Sequence, residues 1–206
     1  MPTTLMQLRR LVRSRLGIPI SDDFMQDPVV DDHINLAVET IEAEYRWPWS
    51  EVVEQVTVTV AAPDVVLAAD WRATRALFDA EHELSFVAPG DLLSWFDDTG
   101  TPPKVWCPID DVLVVRPRVQ GDTVLTHYWY RQPAWLRGDN DVPAIPDQFA
   151  GAIVAKAAEL LSTRESDKAS STSHGAEYQQ WLGRMRRDVR RSTGPTRPRV
   201  RPGGWI

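Results

Sequence analysis

The apolar residues of this chain change period twice, and that excludes most architectures. Leu5, Leu8, Val12 and Leu16, then Val30, Ile34, Ala37, Val38, Ile41 and Tyr45, recur at helical steps up to Trp47-Pro48. From Glu51 the step falls to two, with Val52, Val56, Val58 and Val60 alternating against Thr57 and Thr59. Beyond Pro146 the helical step returns in Phe149, Ile153, Ala157, Leu160 and Leu161, and again in Tyr178, Trp181, Leu182, Met185 and Val189. A period of about 3.6 stacks side chains on one helix face, and a period of two stacks them on one sheet face. The pattern predicts an α+β fold. A helical bundle is drawn from both chain ends, residues 1–50 and 143–193, around a small antiparallel β module inserted at 51–142, and an extended C-terminal arm follows at 194–206.

Local signals place the elements. Helix one, roughly 3–16, sets Arg9, Arg10, Arg13 and Arg15 mainly between its apolar residues and closes at Gly17 and Pro19. Helix two opens on Asp27 as cap, with Pro28 in the first turn and Asp31 and Asp32 near the positive helix end. Pro48 stops it. After the strand that begins at Glu51, five further strand candidates fall at 74–78, 84–87, 104–107, 112–116 and 124–130, with turn-formers such as Thr99-Gly100-Thr101-Pro102 and Gly121-Asp122 between them. Pro89-Gly90-Asp91, followed by Leu92, Leu93 and Trp95, predicts one short helix within the β region. Helix three begins at Pro146, and helix four runs over 169–192 after a Ser-rich interval.

With 206 residues of which 43% are apolar, the chain is able to build a proper core. Its longest near-apolar stretch, 56–69, is interrupted by Thr, Pro and Asp and falls short of the roughly 18 to 20 residues of a membrane span. A soluble chain with no membrane partner is expected. The N-terminal helix pattern is unlike a secretory signal. The single cysteine, Cys107, allows no internal disulfide. The net charge of −6 is unevenly spread. Residues 184–206 hold eight Arg and one Asp, a net of +7, which leaves the other 183 residues at −13. An acidic body ending in a basic tail repels a duplex along the body and engages phosphates or an acidic protein through the tail.

No chemistry assembles from the sequence. His33, His82, His127 and His174 include no pair at metal-binding spacing. The acids of Asp31-Asp32-His33 belong to a helix start, and Glu81-His82-Glu83 is expected at a solvated hairpin end. Nucleophile-elbow, Walker and Rossmann glycine patterns are missing. Cys107 is expected as a buried structural thiol. Catalytic, cofactor-binding and metal residues are therefore assigned to none, and the enzyme readings left open are dispersed carboxylates forming a metal-dependent nuclease site and a Cys107 thiol met in space by an imidazole. Nine tryptophans are many. Trp47, Trp49, Trp71, Trp95, Trp106, Trp129 and Trp135 lie at element junctions, where they suit core packing or subunit contact. Trp205 and Ile206 end a Pro-stiffened, Arg-bearing arm and are either loose or an anchor in another chain.

In order along the chain, TLMQLRRLVRSRLG, HINLAVETIEAEYRWPWSE, VTVTV, LSFVAPGDLLSW, TGTPPKVW, VLVVRPRV, THYWYRQP and IPDQFAGAIVAKAAELLSTRESDKA resemble the tailed-phage head-to-tail adaptor proteins that attach beneath the portal ring. The resemblance covers about residues 3 to 190, and the stretch after Gly194 departs from it in being richer in Arg and Pro. It implies a non-enzymatic virion protein, assembled in the host cytoplasm. It also implies a dodecameric ring of copies on the portal protein, with a downstream tail or head-closure protein beyond and DNA passing through the lumen without sequence-specific binding. The portal-interface candidates are then Arg184, Arg187, Arg191, Arg197, Arg199, Arg201, Trp205 and Ile206. The competing reading is a nucleic-acid-binding protein that tracks phosphates with its basic C-terminal arm.

Overall fold

The computed structural model describes residues 2–18, 26–80, 82–95 and 102–192. The arm at 194–206, with Arg197, Arg199, Arg201, Trp205 and Ile206, lies outside the described residues. In chain order the elements are α1 (Leu5–Leu16), α2 (Asp27–Glu44), β1 (Glu51–Val58), β2 (Val65–Val66), β3 (Trp71–Asp79), β4 (His82–Glu83), β5 (Ser85–Phe86), α3 (Pro89–Leu92), β6 (Val105–Ile109), β7 (Val112–Arg116), β8 (Thr123–Arg131), α4 (Ala150–Arg164) and α5 (Lys168–Ser192). The protein is α+β. It divides into two compact units, Met1–Pro48 with Trp135–Ile206, and Trp49–Ala134.

In the first unit α4 packs against α1, α2 and α5. Its buried Ala152, Ile153, Ala155, Ala157, Ala158 and Leu161 meet the apolar stripes of the neighbouring helices. Small alanines on α4 let those helices approach closely. Thr4 caps α1 in a reciprocal capping box with Gln7. Two further first-turn donors are taken by a loop, Leu5 N–H by Asp141 O at 2.8 Å and Met6 N–H by Asp139 O at 3.1 Å. That loop is itself closed by Asp141, whose carboxylate accepts from Arg137 and Gly138 N–H at 2.8 Å each and is held below its usual pKa by them. Buried Asn35 of α2 clamps the same segment, donating to Leu136 O at 2.9 Å and accepting from Leu136 N–H at 2.8 Å. Residues 135–142, which the hydropathy pattern groups with the β region, are thus bonded to α1 and α2.

The cap of α2 differs from expectation. Gln26 precedes the helix without a side-chain cap bond, and Asp27 is its first residue. Asp27 turns instead to Arg13 at 3.0 Å and Arg9 at 3.3 Å, while Arg9 grips Asp31 with Nε and Nη2 at 2.8 and 2.7 Å. The hydrogen bond to Asp31 leads the effects that raise the Arg9 pKa. The acids at the helix start are therefore partners of α1 arginines as well as complements to a helix dipole.

Among the described residues the second unit holds two four-stranded sheets, ordered β1-β8-β3-β4 and β2-β7-β6-β5. Val58, Leu77 and Leu125 of the first face Val65, Trp106, Leu113 and Val115 of the second in one core. Alternation turns Val105, Cys107 and Val114 to the opposite side of the second sheet, where Leu92 of α3 covers them. The Cys107 thiol is fully buried there, and desolvation pushes its pKa up. Eight strands are described against the six expected. β2 and β4 are two residues each, too short to show an alternation. Nor is the module wholly antiparallel. β5 runs parallel to β6 because α3 carries the chain back across between them.

Among the described residues no helix is long and apolar enough to cross a membrane.

Candidate functional site

The distinguishing surface of the first unit is built on α5, the longest helix described. Ser166, at φ 61°, breaks the chain away from α4, and Asp167 restarts it by accepting from Ser170 N–H at 3.1 Å. Hydrogen bonds from Ser170 hold the Asp167 carboxyl below its usual range. The turn is short enough that α5 returns antiparallel along α4. Thr163 meets Ser171 at one end of the pair, and Gly151 meets Trp181 at the other. Tyr178, Leu182, Met185 and Val189 form the buried stripe of α5.

Trp181 sits beside that stripe, half-buried, because α4 offers it a glycine. A Cβ on Gly151 would lie 2.4 Å from Cζ2 and 2.7 Å from Cε2 of the indole. The exposed side of the ring carries the Arg184 guanidinium at 5.3 Å from its centroid, a cation–π arrangement. Glu177, one turn earlier, is bonded to Arg15 of α1. Two adjoining depressions result. One of about 350 Å³ is lined by Glu177, Gln180, Trp181, Arg184 and Arg187. The other, of about 470 Å³, adds Leu11, Ser14, Arg15, Gly151 and Val154. Leu11 is 48% exposed and supplies apolar surface at the rim.

Arg184, Arg187 and Arg191 follow one another at three- and four-residue steps and are all exposed, so they form one cationic stripe leading away from Trp181. Among the described residues no carboxylate lies within ion-pair reach of these three. Arg186 faces another way and binds Glu44 at 3.2 Å. The structure thus brings three of the eight expected interface residues together; Arg197, Arg199, Arg201, Trp205 and Ile206 fall outside the described residues. Sequence reading missed Trp181 and Gly151 as members of this surface. A glycine in the first turn of a helix followed by an aromatic thirty residues later carries no local signal.

One constellation in the second unit has the form of a nucleophile, base and acid. Thr74 Oγ1 lies 3.0 Å from His127 Nε2, and His127 Nδ1 lies 3.2 Å from Glu54 Oε1. Trp71 Nε1 donates to the same Thr74 oxygen at 3.2 Å. A neutral imidazole satisfies the whole string: the Thr74 hydroxyl donates to Nε2 and the Nδ1–H donates to Glu54. Burial lowers the His127 pKa, against the opposing effect of the hydrogen bond that Nδ1–H donates to Glu54. The ring is 1% exposed and every proton of the string already has an acceptor. The string ties β1, β3 and β8 together rather than presenting a nucleophile. Among the described residues no group of three or more His, Cys, Asp or Glu is placed to hold a metal ion.

The tryptophans divide by burial. Trp47, Trp106 and Trp129 are core residues, with the Trp47 indole donating to Ile41 O at 2.6 Å and Trp106 to Leu84 O at 3.1 Å. Trp135 is 43% exposed.

A family profile described as SU10 adaptor protein matches residues 3–199. No curated protein matches the chain.

Proposed function

Because the chain belongs to the SU10 adaptor protein family, we propose that it is the head-to-tail adaptor of a tailed phage, a ring of copies docked on the portal protein that joins capsid to tail around the DNA channel. Twelve copies match the symmetry that the resemblance implies for the portal. The role is structural and needs no catalytic step. The observation that carries the docking part is the α5 surface, where Arg184, Arg187 and Arg191 lead from the Trp181 depression on a chain whose other residues are strongly acidic. A partner with carboxylates and one apolar side chain fits it. Arginine forks bind carboxylates directionally, and the indole supplies rigid area at small entropic cost. The arm at 194–206 extends the same charge, with Arg197, Arg199 and Arg201 along it and Trp205 and Ile206 at its tip as an anchor. Repetition around a ring turns a weak contact per copy into firm attachment. The acidic remainder suits a lumen through which DNA slides without being held. A downstream tail or head-closure protein completes the joint, in a virion assembled in the host cytoplasm.

The test is charge reversal of the stripe. Arg184→Glu, Arg187→Glu and Arg191→Glu together alter exposed side chains only, so the triple variant is expected to keep its circular dichroism spectrum and lose co-sedimentation with the cognate portal at near-physiological salt. Undiminished portal binding by the triple variant overturns the docking site. Steeply salt-dependent binding of the wild-type chain to free duplex supports the nucleic-acid reading instead.

A further inference from the structure

The β unit holds a surface outside the docking site proposed above, the free side of β1. Sheet edges present unpaired N–H and C=O groups, and proteins ordinarily blunt them with short strands, bulges or charge. Among the described residues three of the four sheet edges are blunted in those ways. β2 and β5 are two residues long. So is β4, and behind it β3 slips register against β8 between Trp71 and Ala73 and again between Thr74 and Ala76, leaving Arg72 and Arg75 as the extra residues. β1 is the exception. It pairs one for one with β8 from Glu51↔Tyr130 to Val58↔Thr123, with no shift and no proline or glycine. Among the described residues no further backbone hydrogen bond engages it.

We propose that β1 pairs with β1 of a second copy of this chain, antiparallel about a two-fold axis at Gln55, joining the two sheets edge to edge. The alternation selects that axis. Opposed residues share a face, and β1 sets Glu51, Val53, Gln55 and Thr57 on one face and Val52, Glu54, Val56 and Val58 on the other. An axis at Glu54 opposes two like charges directly. An axis at Val53 or Val56 shortens the ladder. The axis at Gln55 opposes Val52 to Val58, Val53 to Thr57 and Glu54 to Val56, with no like charges facing. It also brings two Gln55 carboxamides together, each offering the other a donor and an acceptor. Val53, 55% exposed in the single chain, gains a β-branched neighbour. The contact uses one patch on both copies and so closes at two. It is a state of the free chain, distinct from the head-to-tail contact a ring needs, and it does not rest on the adaptor assignment.

Sedimentation of the full chain over a concentration series tests it. A reversible dimer is expected, and Gln55→Glu, which sets two carboxylates on the axis, is expected to raise its dissociation constant by about tenfold or more. A second variant is independent of that charge. Gln55→Cys under mild oxidation is expected to give a disulfide-linked dimer on a non-reducing gel, whereas Thr57→Cys is not, because the axis opposes Thr57 to Val53. A wild-type chain that stays monomeric throughout, a dimer indifferent to Gln55→Glu, or Thr57→Cys cross-linking as readily as Gln55→Cys each overturns the proposal.

Discussion

Two alanine substitutions in the helical unit should move stability in opposite directions. A Cβ on Gly151 would stand 2.4 Å from the Trp181 ring, about 1 Å inside ordinary contact. Three ring atoms lie within 3.0 Å of that position, so no small adjustment clears it and the indole must leave. Half-buried Trp181 then forfeits on the order of 100 Å² of apolar contact, roughly 2.5 kcal/mol. Alanine returns at most about 1 kcal/mol of helix propensity, and less in a first turn. Gly151→Ala should therefore cost about 1 to 2 kcal/mol. At Gly175 the same Cβ meets only the far end of the Glu159 side chain, at 3.3 Å, which needs to give by a few tenths of an ångström while keeping its bond to Lys156. In the interior of α5 the propensity gain is felt more fully, and Gly175→Ala should be neutral or stabilise by up to about 1 kcal/mol. Urea melts of both variants beside the wild type decide it. If Gly151→Ala matches or exceeds the wild type while Gly175→Ala is the costly one, the assigned seat of Trp181 is wrong. Because Arg184 lies over the same ring, Gly151→Ala should weaken portal binding as well, and Gly175→Ala should not.

Three further outcomes follow from the geometry. Asn35→Ala leaves the buried N–H and C=O of Leu136 without partners and should cost about 2 to 4 kcal/mol in a denaturant melt; a loss under about 0.5 kcal/mol contradicts the clamp. Burial lowers the His127 pKa from 6.5, so the unfolded chain binds the extra proton between the two values and stability falls as pH drops below about 6.5. His127→Gln should remove that acid-side slope, and equal slopes in the two proteins would show that the ring is not held neutral. Deleting 194–206 should leave the melting temperature unchanged while greatly reducing portal co-sedimentation, and portal binding at wild-type strength would dismiss the arm as an anchor.

The helices and the longer strands were legible because each buries one face. The stripe Val30, Ile34, Ala37, Val38 and Ile41 is buried in α2 as its spacing predicts, and the alternation from Val52 to Val58 marks β1. What the pattern missed had physical reasons. β2 and β4 hold too few residues to alternate, and their pairing depends on what β7 and β3 offer. Pro146 opens a 3₁₀ turn, Asp147–Phe149, before α4 begins, since a start signal does not distinguish the two helix types. Asp27 looked like a cap because its pull toward Arg9 and Arg13 comes from another helix. The stripe of Arg184, Arg187 and Arg191 could be read from helical spacing alone. Its apolar neighbour could not, since it needs Gly151 on a different helix beneath Trp181. The Thr74, His127 and Glu54 string is similarly hidden, because it exists only once β1, β8 and β3 take their register.

Negative-stain imaging of the cognate portal, alone and mixed with this chain, tests the central claim most directly. The adaptor account predicts an added ring of density at the base of the portal, with the central channel open, and loss of that ring with the Arg184, Arg187 and Arg191 reversals. Portal particles identical with and without the chain would contradict it.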